Sequence, residues 1–340
     1  MTEFWMVFVL LLAGIVLGAL AALVIRYFRE IGTIRSRLAS LGSQVIETAC
    51  GPVEYLQAGE GYPVLVVHGA MGGFDQGLWL ARGYDVTDYQ VISVSRFGYL
   101  RSPVPANADL NLQADALAAL LDALEIRQAA VFAVSAGTTA AIRFAARHPG
   151  RASALILLSP DAPGKNYMAL PPRFVFDTMI RSDFIYWVMI TFFEKKLQNM
   201  MGLAPRGFSL TPEYDALLKK VVAGDMPVSQ RMDGMIFETY TLDAEFKASV
   251  SPTSPYPLGQ IDTPALVITA ADDTISRLEN VRSLAEQMPN ACLFVAPDGG
   301  HLLLGHTGEV KSEIARFLSS HATGSLETSG AAANPGKKNL

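Results

Sequence analysis

The run Ala133-Val134-Ser135-Ala136-Gly137 sets a hydroxyl between small residues, directly after the apolar stretch AVFAV and before a helical one. A strand that turns sharply into a helix can present such a serine as a nucleophile. The small flanking residues are needed because strand and helix backbones nearly touch there. Ala133 stands where this pattern has its first glycine, and Gly137 keeps the second. Without the strand-to-helix context, Ser135 would read only as a helix cap.

A serine hydroxyl needs a base. Of the five histidines, His301 follows the turn Pro297-Asp298-Gly299-Gly300 after a late strand, and His306 is the fallback five residues on. His148 precedes a proline at a helix end, His321 borders the polar tail, and His68 reads as ordering a turn or lining a pocket. The imidazole in turn needs a carboxylate to fix its tautomer. Asp273 is the choice, with Asp272 the alternate; both follow the strand PALVIT, and the order Ser, Asp, His fits this elbow type. Asp161 is a weaker candidate. Acyl transfer also needs backbone N–H donors for an oxyanion. Ala136 should supply one, and Ala70 or Met71 the other, from the glycine turn His68-Gly69-Ala70-Met71-Gly72-Gly73. That turn has neither the Lys and Ser/Thr of a P-loop nor G-x-G-x-x-G spacing, so nucleotide binding is not indicated. Neither a cofactor nor a metal is implied, because no Cys/His cluster has ligand spacing.

These residues need a frame that brings loop ends together. From about residue 45 the chain alternates short β-branched runs (53–57, 63–68, 91–95, 129–134, 154–159, 265–270, 292–296) with helical stretches (110–124, 138–147, 279–287, 311–319). Such alternation implies an α/β architecture, a mostly parallel sheet flanked by helices. Residues 161–258 break the pattern. Rich in Met, Phe, Tyr and Pro, they read as a helical lid insertion at the C-terminal edge of the sheet, where ligands bind. Phe174, Phe176, Phe184, Tyr186, Trp187, Phe192 and Phe193 would pack the lid or line an apolar acyl pocket.

Residues 4–25 are unbroken apolar residues and glycine, long enough to cross about 30 Å of hydrocarbon. Trp5 and Tyr27 sit at its ends, and Gly14 and Gly18 form a G-x-x-x-G that permits close pairing of helices. Met1, Thr2 and Glu3 carry no positive charge, unlike the start of a cleaved signal peptide. Residues 1–28 are therefore expected to be a transmembrane helix with its flank. The arginines at 26, 29, 35 and 37 would keep the catalytic side cytoplasmic. Residues 26–45 read as a charged juxtamembrane helix or linker, with 29–44 assigned to the linker and 45–320 to the main domain. Residues 321–340 are small and polar and read as a disordered tail. With a net charge of −5 and no long basic run, nucleic acid is an unfavourable partner. Cys50 and Cys292 are expected to be free thiols.

Over residues 45–320 these features together resemble the α/β-hydrolase superfamily. HGAMGG is similar to its oxyanion-hole segment, AVSAG to its elbow, ITAADDTI to its acid loop with Asp273 at the acid, and DGGH to its histidine loop. The turn Arg96–Pro103 resembles the one after the family's fourth strand, but Ser95 and Leu100 stand where Asp and Gly are usual. The resemblance implies a serine hydrolase acting on a small-molecule ester, possible lipid esters included. The superfamily also holds thioesterases, amidases, C–C bond hydrolases, cofactor-free haloperoxidases and non-catalytic binding proteins. A serine at the elbow disfavours haloalkane dehalogenase and epoxide hydrolase chemistry.

Overall fold

The computed structural model describes residues 2–163, 173–175, 181–203, 207–249 and 258–322. A long helix, α1 (Thr2–Ser40), leads into β1 (Gln44–Thr48), β2 (Gly51–Ala58) and β3 (Pro63–Val67). Then come α2 (Phe74–Gly83), β4 (Gln90–Val94), α3 (Leu110–Ala123), β5 (Ala129–Val134), α4 (Gly137–Arg147) and β6 (Ala152–Leu158). The helices α5 (Arg173–Val175), α6 (Asp183–Phe192), α7 (Glu194–Met200), α8 (Pro212–Gly224) and α9 (Met232–Ser249) follow. The chain then returns through β7 (Ala265–Ala270), α10 (Leu278–Gln287), β8 (Ala291–Ala296) and α11 (Thr307–His321).

The eight strands form one sheet in the order β1-β2-β4-β3-β5-β6-β7-β8. All pairings from β4 to β8 are parallel; β1–β2 and β2–β4 are antiparallel. Successive strand residues point to opposite faces, and both faces are covered. Leu65, Val67, Val131, Leu155 and Leu157 join the core under α3, α4 and α10. Val64, Val66, Phe132, Ile156 and Leu158 join the core under α2 and α11. Burial on both sides is why these strands read as continuous apolar runs. Each such Val, Leu or Ile contributes about 1.5–3 kcal/mol relative to exposure.

Strand order reverses at β3, with β4 on one side and β5 on the other. This is a switch point, where a crevice opens at the C-terminal strand ends. The glycine turn after β3 and Ser135 after β5 meet there.

Two boundaries differ from the sequence reading. β1 was not anticipated, because QVIET is a half-exposed edge strand with a weak apolar signal. Residues 26–45, read as a juxtamembrane helix or linker, take the helix alternative as far as Ser40, and β1 starts at Gln44 inside the span assigned to the linker. The reason is a stripe of Leu23, Tyr27, Ile31, Ile34 and Leu38 at helical spacing. Its first four residues pack with Tyr186, Trp187 and Leu218 of α6 and α8, and Leu38 packs with Leu56 and Phe74. Polar contacts reinforce the seat: Trp187 Nε1 donates to Glu30 at 2.7 Å, and Arg35 pairs with Asp183 at 3.0 Å. The apolar window of α1 before this stripe is unburied, and α1 alone among the described helices is long and apolar enough to cross a membrane. Phe176 and residues 323–340, read above as part of an apolar lid and as a disordered tail, lie outside the described residues. Cys50 and Cys292 are free.

Candidate active site

Ser135 occupies the turn between β5 and α4 with φ of 49°, a left-handed conformation that non-glycine residues adopt rarely. Backbone bonds over-determine it. Its N–H donates to Leu158 O at 2.9 Å, and its carbonyl accepts from the N–H and hydroxyl of Thr138 at 2.9 and 2.7 Å. A Cβ at Gly137 would lie 2.2 Å from His68 O, so only glycine lets α4 approach β3 this closely.

His301 Nε2 stands 3.0 Å from Ser135 Oγ, and His301 Nδ1 stands 2.9 Å from Asp273 Oδ2. Asp273 Oδ1 accepts the N–H groups of Ile275 and Ser276 at 2.8 and 2.9 Å. Burial alone would disfavour the charged imidazolium, but the Asp273 carboxylate overrides it, and the His301 pKa is raised. Burial likewise opposes ionisation of Asp273, yet His301 and the two N–H donors hold its pKa below the usual value. The His301 loop is pinned as well: Ser159 Oγ donates to His301 O at 2.9 Å, and Gly300 N–H donates to Asp272 at 2.9 Å.

The other candidates fall elsewhere. Asp272 is spent on that loop contact and does not face the imidazole. His306 is bound to Asp298 and Glu309 near the surface. Asp161 sits close enough for charge interaction with His301, Asp273 and Arg96; burial first, then Asp273, raises its pKa. His68 is sealed in. Its Nε2 accepts Arg96 N–H at 3.0 Å, so Nδ1 carries the proton and donates to Gly69 O at 2.7 Å. Burial and then Arg96 push its pKa well down, keeping it neutral.

Gly69 brings the glycine turn against the serine: a Cβ there would lie 3.3 Å from Ser135 Cβ. Met71, one of the two expected donors, takes a left-handed φ of 57°, with its backbone near the Tyr99 phenol. Among the described residues, the N–H groups of Ala70 and Ala136 have no hydrogen-bond acceptor. Two free amides beside a hydroxyl, with a base on its other side, can stabilise charge on a carbonyl oxygen under attack.

Sequence reasoning missed the charged residues behind this turn. Arg96 and Arg231 are almost wholly buried. Arg231 donates to Gly72 O at 2.6 Å and forks onto Asp75, while Arg96 pairs with Glu238 of α9. Glu54 supplies the carboxylate that Ser95 lacks: it accepts from Ser95 Oγ and from Arg101 N–H at 3.0 and 3.1 Å. No periodicity marks such residues, since isolated charges ordinarily read as surface.

The family described as alpha/beta hydrolase fold matches residues 62–305. The chain belongs to this alpha/beta hydrolase family. The uncharacterized hydrolase YcgS of Bacillus subtilis is 27% identical over 289 residues, covering 79% of this chain and 96% of YcgS. A solved alpha/beta hydrolase fold protein from Nakamurella multipartita superposes with a TM-score of 0.65 at 27% identity, covering 83% of this chain and all of that one. A membrane phospholipase A, described as a bacterial virulence factor, matches with a TM-score of 0.61 at 19% identity, covering 95% of this chain and all of that one. That share is too large to leave out α1. The chain is thus a member of a hydrolase family with hydrolase-named relatives.

Proposed function

We propose that this protein hydrolyses a carboxylic ester through an acyl-enzyme on Ser135, with His301 as general base and Asp273 as its orienting acid. The observation that carries this reading is the unbroken Asp273–His301–Ser135 hydrogen-bond series at the switch point. With Nδ1–H donated to Asp273, His301 Nε2 is free to accept the Ser135 proton as Oγ attacks the ester carbon. The N–H groups of Ala70 and Ala136 take the oxyanion. His301 then returns the proton to the departing alkoxide as the C–O bond breaks. A water molecule, deprotonated by the same nitrogen, releases the acid and restores the serine. Labelling by a fluorophosphonate probe tests this: wild type should label and Ser135→Ala should not, whereas an unlabelled folded wild type argues for a binding protein.

The same reading extends to an apolar acyl group and a membrane location. Helices α6 to α9, between β6 and β7, act as the lid. Phe184, Phe192 and Phe193 expose their rings on it, and Tyr27 of α1 stacks edge-on at 5.1 Å from Phe184. A helix whose first half is bare and apolar would fix that face near a bilayer, with the domain on the cytoplasmic side by its arginines. The similarity in extent to a protein described as a membrane phospholipase A is consistent with lipid esters as substrates. Rates measured against acyl-chain length decide it: a clear preference for short soluble esters, with or without vesicles, would overturn the lipid assignment.

A further inference from the structure

The Gly69 carbonyl collects three donors. His68 Nδ1 is 2.7 Å away, Arg96 Nη2 3.0 Å, and Gly72 N–H 3.3 Å. The Gly69 N–H is itself held by Gln76 Oε1 at 2.8 Å. A planar trans peptide points its C=O and N–H in opposite directions. Anchoring Gly69 O toward the buried Arg96–His68 side therefore turns the Ala70 N–H the other way, toward the side where Gly69 approaches Ser135. His68 cannot hold this carbonyl alone, because its own orientation depends on the Arg96 N–H bound to Nε2. Arg96 thus acts twice, through its main chain on His68 and through its guanidinium on Gly69.

Arg96 is in turn placed by α9. Its guanidinium pairs with one Glu238 oxygen and lies 5.2 Å above the Tyr99 ring, and the Tyr99 hydroxyl donates to the other Glu238 oxygen at 2.8 Å. Both charges are withdrawn from water, so the arginine requires this partner to remain where it is.

We propose that Arg96, held by Glu238, is a positioning residue that sets the Gly69–Ala70 peptide with its N–H toward the reacting oxygen. Through this pair α9, part of the helical lid, determines whether the oxyanion site is formed. The assignment rests on the hydrolase reading above, and it extends that reading from the reacting groups to what holds them.

The test compares wild type with Arg96→Met/Glu238→Gln, which removes both charges together and spares Ser135, His301 and Asp273. For a p-nitrophenyl ester, kcat per fluorophosphonate-titrated site should fall about 100-fold, the scale of losing one oxyanion donor. KM should change by less than about threefold, because ground-state binding is not touched. The inhibition constant of a trifluoromethyl ketone, which forms a tetrahedral adduct on the serine, should rise by the same factor as kcat falls. The acid limb of the pH profile should stay in place. Unchanged kcat and ketone affinity in the folded variant would overturn the proposal, and so would a loss confined to KM. Should the double variant fail to fold, Glu238→Gln alone gives a smaller loss with the same pattern, or none if the proposal is wrong. Crystal structures of both proteins provide a readout that needs no turnover. A rotated Gly69–Ala70 peptide in the variant supports the proposal, and a retained one overturns it. Wild type that neither labels nor turns over sinks the hydrolase reading separately, leaving the peptide orientation to be judged by the crystals.

Discussion

Asp273 grips His301 with one oxygen while its other oxygen is held by the backbone. Oδ2 lies 2.9 Å from Nδ1, and Oδ1 accepts two N–H groups of its own loop. The carboxylate is thus fixed before it orients the imidazole. Asp273→Asn keeps the shape but can present an N–H donor to Nδ1, forcing the wrong tautomer. Ester kcat should fall about 10³–10⁴-fold, as for the acid of comparable triads. Asp272→Ala frees only Gly300 N–H and should cost about tenfold, one hydrogen bond to a charged group. The two variants, assayed side by side, would show reversed losses if Asp272 were the acid.

The pH dependence follows from the raised pKa of His301. The base acts when neutral, so activity is lost as pH falls through that pKa. The acid limb of kcat/KM should lie above the ordinary imidazole value of about 6.5. In Asp273→Asn the main raising charge is gone and only Asp161 still works against burial, so the limb should move to lower pH. A limb that stays put would mean another group titrates.

Much of this arrangement was legible in the sequence. Ser135, Asp273, His301 and the glycine turn each end a strongly apolar strand, and parallel-sheet strands are the easiest elements to read. Ala70 could not be separated from Met71, because the choice depends on how the Gly69–Ala70 peptide is turned, and the buried donors to Gly69 O set that only in the folded chain. The clamp of Arg96, Arg231 and Glu238 was hidden for a different reason: only tertiary packing makes a buried charge out of a residue type that normally faces water. The docking half of α1 did carry a signal, the Leu23–Leu38 stripe, masked by the arginines between its members.

Asp225 makes stability depend on pH. Burial raises its pKa to about 7, although the Tyr186 hydroxyl, 2.8 Å away, and Arg231 pull it back. Its folded pKa lies above the unfolded carboxylate value of about 3.9, so the folded state binds the proton more tightly. This contribution is complete below about pH 4 and is lost as pH rises toward and through 7. Asp225→Asn keeps a polar partner for Tyr186 and removes the titration. Its melting temperature should exceed that of wild type at pH 8, and the gap should narrow by pH 5. A constant gap would assign the effect to packing instead.

Gly98 and Gly234 let α9 lie backbone against backbone on the turn after β4. Gly234 N–H donates to Gly98 O at 2.9 Å, and a Cβ at Gly98, where φ is +77°, would fall 2.2 Å from Gly234 N. Gly98→Ala adds left-handed strain of about 1–2 kcal/mol to that collision. It should lower the melting temperature by several degrees and depress kcat per titrated site, since α9 carries Glu238. Normal stability with normal kcat would show that the helix can shift without consequence.

Helix α1 divides into a bare half and a seated half, and truncation separates them. Removing residues 1–22 leaves Leu23, Tyr27, Ile31 and Ile34 on α6 and α8, with the Glu30–Trp187 and Arg35–Asp183 contacts intact. Removing residues 1–41 strips all of these, uncovering a Trp187 indole that is otherwise almost wholly buried and leaving its N–H without its carboxylate partner. Burial of Ile31 is worth about 1.5–3 kcal/mol and a hydrogen bond to a charged group about as much. The longer truncation should therefore cost about 3 kcal/mol or more, a drop of roughly 6 °C at the low end for a chain this size. The shorter one should melt with the full-length protein yet leave the membrane fraction without detergent. Equal melting of the two truncations would mean the seated half contributes nothing. A shorter truncation that still sediments with membranes would shift the anchoring role to the exposed rings of α6.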